Sequence, residues 1–380
     1  MKYFCSFLVF ITLFFGSVTN ATPALSLRDK IGQMLLIGFA GKQVDSQSPI
    51  VKNIEATNLG GVILFDYDFN TKTFNRNIES PNQVKQLNYD LQHFTKLANK
   101  KHHRPQLPLL ISVDYEGGMV NRLGEQYGFP EALSAAEVGK RGLGEAEISA
   151  ETMALTLSDA GFNLNFAPVL DVNVNPDNPV IGKKERSYSD DANTVADFSK
   201  VYSQHFLQHN IQCVYKHFPG HGSSTKDSHL GFVDVTDTWQ SYELEPYQQL
   251  LNNKEACGVV MSAHIVNRQL DDSGLPATLS HKILTGLLRE KYQFKGVIIT
   301  DDMQMKAISD NYGLEQALVL TINAGADMII FGNNLSATSQ DPKEVIDIIE
   351  AKVRSGEISP ERIDAAYQRI KALKNSLGTH

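Results

Sequence analysis

Tryptophan occurs once, at Trp239, and cysteine three times in a chain of 380 residues. Three cysteines cannot staple a scaffold, so the fold must rest on a hydrophobic core. A basic excess is missing too: 35 Lys and Arg face 43 Asp and Glu, a formal charge of −8. That balance argues against a nucleic-acid partner, because phosphate binding leans on clustered Lys and Arg. The one basic cluster, Lys100 to Arg104, is short and runs into Pro105, as a solvated loop does. No glycine-rich dinucleotide fingerprint follows an early strand, which counts against a doubly wound open sheet. Past the first twenty-one residues there is no apolar run approaching the roughly 20 residues of a membrane span, and no stable membrane partner is expected. With 42 % hydrophobic and 21 % charged residues, the chain is too apolar for disorder and ample for a sizeable core.

The amino terminus differs from the rest. Lys2 precedes an almost continuous apolar stretch from Phe4 to Phe15, and Ser17-Val18-Thr19-Asn20-Ala21 offers small residues for cleavage. This pattern predicts a secretory signal over residues 1–21, cut near Ala21, and hence an exported, periplasmic or secreted protein. An uncleaved anchor is the alternative. Cleavage removes Cys5 and leaves Cys213 and Cys257, for which one bridge and two buried thiols both stay open. Residues 22–380 are expected to form a single domain.

Eight short apolar runs alternate with helix-like stretches. The runs are Met34 to Phe39, Gly61 to Phe65, Leu109 to Asp114, Phe162 to Val174, Cys213 to His217, Gly258 to His264, Gly296 to Asp301 and Asp327 to Phe331. Unalternating Val, Ile and Leu suit parallel strands covered on both faces. Helical spacing fills Pro81 to Asn99, Glu145 to Gly161, Asp191 to His209 and Leu279 to Tyr292. Two further amphipathic segments, Pro342 to Val353 and Ser359 to Leu377, follow the last run. The rhythm predicts an α/β fold, a (β/α)8 barrel with extra carboxyl-terminal helices. Most runs finish in a chemically capable group: Asp66, Asp114 with Glu116, Asp171, Lys216 with His217, His264, and Asp301 with Asp302. Barrel active sites lie at that end of the strands.

The densest signal is Lys216-His217-Phe218-Pro219-Gly220-His221-Gly222, running on to Asp227-Ser228-His229. One reading is a metal site in which His217 and His221 join His264 and Asp301. Against it, Pro219-Gly220 forbids the helical spacing that aims two histidines at one ion. The other reading is carbohydrate chemistry, with Asp301 attacking an anomeric carbon while another group protonates the leaving oxygen. Asp227 and His229, two residues apart, suit that second role, because a carboxylate beside an imidazole fixes its tautomer.

Taken together, these segments resemble family 3 glycoside hydrolases of the β-N-acetylglucosaminidase type. Gly296 to Met303 is similar to that family's nucleophile strand. Val113 to Gly118, Ala167 to Asn173 and Val260 to His264 resemble other conserved segments of it. The resemblance runs from about Leu27 to Asn334. It implies a retaining exo-β-N-acetylhexosaminidase that needs no cofactor and no metal, acting on oligosaccharides or peptidoglycan fragments with terminal N-acetylglucosamine. Asp301 would be the nucleophile, His229 the acid/base and Asp227 its orienting partner. Asp114, Arg122, Arg186, Lys216 and His217 would grip the sugar. Tyr115 and Met119 depart from the family's usual Gln and Arg, which questions the packing around the sugar. The alternatives are a β-glucosidase or β-xylosidase of the same family, a catalytically silent sugar-binding barrel, and a metal-dependent barrel hydrolase.

Overall fold

The computed structural model describes residues 25–253, 255–335 and 338–378. Eight parallel strands close into a barrel: β1 (Leu35–Gly38), β2 (Gly61–Leu64), β3 (Leu110–Val113), β4 (Leu164–Asn165), β5 (Gln212–Phe218), β6 (Val259–Ser262), β7 (Val297–Asp302) and β8 (Met328–Phe331). Each strand pairs with the next in sequence, and β8 returns to β1, where Leu36 lies opposite both Ile330 and Gly61. The (β/α)8 expectation holds. Every residue of β1, β2, β3, β6 and β8 is buried, which explains their lack of polar alternation: the barrel interior takes one face and the helices the other.

β4 is shorter than its apolar run. Regular pairing stops at Asn165 because Pro168 has no N–H for the ladder. The chain continues by single bonds, Val214 N–H to Ala167 O at 3.0 Å and Leu170 N–H to Lys216 O at 2.8 Å, and so delivers Asp171 beside the end of β5.

The expected helices form over Pro81–Lys101, Leu143–Asp159, Ala192–Gln208, Lys282–Lys291, Pro342–Ser355 and Pro360–Ser376. Ser80, Asp191, Asp341 and Ser359 cap four of them, each accepting a first-turn N–H. The last helix packs on the first, Leu27–Gln33, with Lys374 Nζ donating to Gln33 Oε1 at 2.8 Å, and so covers the end of the barrel opposite the strand-end acids. Cys213, early in β5, and Cys257, just before β6, are joined by a disulfide across neighbouring strands. The secretory signal over residues 1–21 lies outside the described residues. Among those described, no helix is long and apolar enough to cross a membrane.

Candidate active site

The ends of β3 and β5 build a charged wall. After β3, a hairpin pairs Tyr115–Gly117 with Val120–Asn121 and turns the Glu116 side chain toward β5. Lys216 Nζ lies 3.0 Å from Asp114 Oδ1 and 2.5 Å from Glu116 Oε1. Arg186, from the loop after β4, donates Nε–H and Nη2–H to the two oxygens of Glu116, both at 2.7 Å. Burial alone would raise the Glu116 carboxyl, but the Arg186 and Lys216 cations hold it down at about 2. Below this trio, fully buried Asp171 accepts Nδ1–H of His217 at 2.6 Å and the backbone N–H of His221 at 2.7 Å. That contact fixes the His217 tautomer and turns Nε2 toward Arg186 Nη2, 3.4 Å away.

Two glycines let the segment after β5 fold this tightly. A Cβ on Gly222 would stand 1.7 Å from Val172 O, and Gly220 sits at φ +115° above the Glu243 side chain. Beyond them the loop presents Asp227 and His229. His229 donates Nδ1–H to Asp227 Oδ1 at 2.7 Å, which leaves Nε2 for proton exchange. The hydrogen bond from His229, ahead of every other cause, takes the Asp227 carboxyl down to about 2. Between the pair, Ser228 is buried, with its Oγ 3.3 Å from His221 Nε2.

At the end of β7 the two aspartates differ. Burial pushes Asp301 up, but the imidazoles of His264, His217 and His229 hold its carboxyl below the ordinary value. For Asp302 burial, with the charge of Asp301 beside it, outweighs two backbone hydrogen bonds and the His229 imidazole and raises it to about 7. One side chain is therefore a carboxylate at neutral pH, and its neighbour is poised to hold a proton.

Asp114, Arg122, Arg186, Lys216, His217, His229 and Asp301 all line one cavity of about 230 Å³ at the carboxyl ends of the strands. Asp227 stands behind His229. Arg186 does form a salt bridge, but with Glu116 rather than with Glu185 or Asp190 nearby in sequence. Tyr115 is fully buried and Met119 is exposed at the hairpin turn, and neither lines the cavity. The histidines do not gather as metal ligands: His264 spends Nδ1 on Thr278 Oγ1 at 2.8 Å and Nε2 on Asp302 O at 3.0 Å. Among the described residues, no three His, Cys, Asp or Glu could hold an ion.

Glu116, Asp171 and Asp66 are the residues that sequence reasoning left without a role. All three stood out as acids at strand ends, but nothing in the sequence names their partners. Asp66 is buried in the cavity wall, 3.2 Å from Tyr127 Oη and 3.9 Å from Arg122 Nη1.

Known proteins resemble this chain over most of its length. The description "Glycosyl hydrolase family 3 N terminal domain" matches residues 26–373. Beta-hexosaminidase A of Pseudoalteromonas piscicida is 29 % identical over 94 % of this chain, which spans only 62 % of that protein's length. Beta-hexosaminidase LpqI of Mycobacterium tuberculosis is 32 % identical, with 93 % of this chain and 84 % of that protein covered. Among solved structures, a glycoside hydrolase family 3 β-N-acetylglucosaminidase from a Paenibacillus superposes with a TM-score of 0.83 at 34 % identity, over 94 % of this chain and 64 % of that one.

Proposed function

This chain belongs to glycosyl hydrolase family 3, and from that premise we propose that it removes terminal, non-reducing β-linked N-acetylglucosamine with net retention. One observation carries the reading: a carboxylate held ionised, Asp301, lines the same small cavity as an imidazole braced by a carboxylate, His229 on Asp227. In the first step Asp301 attacks the anomeric carbon as the bond to the leaving oxygen breaks, and protonated His229 gives its Nε2 proton to that oxygen. A covalent glycosyl-enzyme results. In the second step the now neutral ring takes a proton from water, which displaces Asp301 from the same carbon. An imidazole in this role avoids the charge repulsion that a second carboxylate would exert on Asp301.

The wall supplies the grip. Lys216, Arg186 and Arg122 present donors suited to hydroxyl and carbonyl oxygens, and Asp114 and the Nε2 of His217 present acceptors. A cavity of about 230 Å³ favours exo action on one terminal ring. Trp239, the one tryptophan, is buried with Nε1–H donated to Pro219 O at 3.3 Å, so it provides no stacking platform for a polymer. Export remains part of the reading and rests on the signal over residues 1–21, with residues 22–380 as the mature domain. The natural substrates would be small oligosaccharides or peptidoglycan fragments.

Parallel assays of aryl N-acetyl-β-glucosaminide and aryl β-glucoside test it. We expect turnover of the first that disappears in Asp301→Ala. Equal or better turnover of the glucoside would favour a β-glucosidase instead.

A further inference from the structure

The lip of the cavity carries an aromatic ring that the mechanism does not use. Phe69 lines the same cavity as Asp301 and His229, yet it is 52 % exposed. A single exposed apolar side chain is ordinary. The backbone beneath this one is not ordinary, because buried charge holds it in place. Asp68 exchanges two backbone hydrogen bonds with Thr73, at 2.7 and 3.3 Å, and its carboxylate pairs with buried Arg76 at 2.7 Å. Arg76 in turn donates to Asn333 O at 2.6 Å, in the loop after β8. Asn334 of that loop accepts the N–H of Phe69 at 2.9 Å and donates to Tyr67 O, also at 2.9 Å. The loop after β2 is thereby fastened to the loop after β8, and Phe69 is presented outward from a fixed backbone.

The size of the cavity says what such a ring would meet. Its volume of about 230 Å³ lies below the roughly 300 Å³ at which clefts begin to enclose drug-sized ligands. One sugar ring fills it, and the second ring of any disaccharide must rest at the lip. A pyranose in its β-linked chair has faces lined by C–H groups, and an aromatic face covers such a surface without competing for its hydroxyls. Holding that aromatic ready in advance reduces the ordering cost of binding.

We propose that Phe69 is the platform of a leaving-group subsite, stacking on the apolar face of the pyranose attached to the terminal sugar. The subsite reads ring shape rather than charge. It selects a β-linked sugar over a ringless alcohol as the leaving group. The proposal rests on the hydrolase reading above and adds a determinant of which glycosides are cleaved best.

The test compares N,N′-diacetylchitobiose with methyl N-acetyl-β-glucosaminide, two alkyl leaving groups of which only the first carries a ring. In Phe69→Ala the ratio of the two kcat/KM values should fall about ten-fold, the effect of leaving one apolar ring face uncovered. Phe69→Tyr, which keeps the ring, should retain the wild-type ratio. Phe69 is exposed, so thermal melting should show each variant folded as the parent is. An unchanged ratio in Phe69→Ala would overturn the proposal, whether both rates held or both fell together. A wild-type protein inactive on both glycosides would instead overturn the hydrolase reading together with it.

Discussion

On the β3–β5 side of the cavity, Glu116, Arg186 and Lys216 expose 4, 8 and 2 % of their side chains, whereas the imidazole of His229 exposes 41 %. The wall is held by several contacts per residue, and the His229 ring by one carboxylate. Burial with full pairing locks charge and position together, because any change strands an uncompensated ion in low dielectric. An exposed ring resting on a single hydrogen bond is not locked in this way. The difference suits the division of labour proposed above, in which one side would bind the sugar and the other would exchange protons.

His229→Ala attacks the exposed side and should have the largest effect. General acid–base catalysis contributes about 10²–10⁴-fold, so cleavage of a disaccharide should fall by that order. An acidic phenol needs no protonation and should still leave in a first burst, followed by a stall before water can be activated. Azide should relieve the stall and give a β-glycosyl azide. Wild-type disaccharide turnover, or an α-azide, would show that His229 is not the acid/base.

Glu116→Gln attacks the buried side. Removing that charge takes away the carboxylate that pairs with Arg186 and leaves Lys216 with Asp114 alone, and breaking a buried pair in this way costs about 3–5 kcal/mol. The Glu116 carboxyl lies at about 2 in the fold against an ordinary 4.5, so its contribution is present above that ordinary value and is lost as pH falls toward the folded one. Denaturant titrations should therefore find the variant's deficit complete at pH 7 and shrinking below pH 4. A deficit of the size typical of surface pairs, under about 1 kcal/mol, would mean that the wall is not the locked unit described here.

The smallest effect is expected at Asp302. Burial, then the charge of Asp301, raises Asp302 to about 7 from an ordinary 3.8. Between those values the folded protein keeps a proton that the unfolded chain has lost, so Asp302 makes stability decline as pH rises through that window. Asp302→Asn cannot ionise. Its melting temperature relative to the parent should climb from pH 4 to pH 8, while aryl glycoside turnover stays measurable. A difference that does not move with pH would place the Asp302 proton elsewhere.

Much of the architecture was readable in advance because strands buried on both faces must be written as unbroken apolar runs. β1, β2 and β8 are Leu-Leu-Ile-Gly, Gly-Val-Ile-Leu and Met-Ile-Ile-Phe, and all eight runs became strands. β4 was overestimated, since hydrophobicity continues through Val169-Leu170 while Pro168 ends the ladder. The Asp227–His229 contact was legible for a local reason: two residues apart in a turn, they meet whatever the rest of the chain does. Arg186 shows the opposite case. Its partner, Glu116, lies 70 residues away, and the acids nearest in sequence are not the ones it holds.

Strand count, the order of elements and the cluster of acids, lysine and histidines at one end of the barrel follow from the chain's own pattern, because period and composition are local properties. Which of those charges are buried against each other depends on the folded barrel. Folding also joins Cys213 to Cys257 and separates a carboxylate held ionised, Asp301, from its raised neighbour Asp302. It sets Phe69 at the lip of the cavity. Those outcomes depend on distances between side chains far apart in the chain and on how much water each retains, and neither quantity exists until the barrel closes.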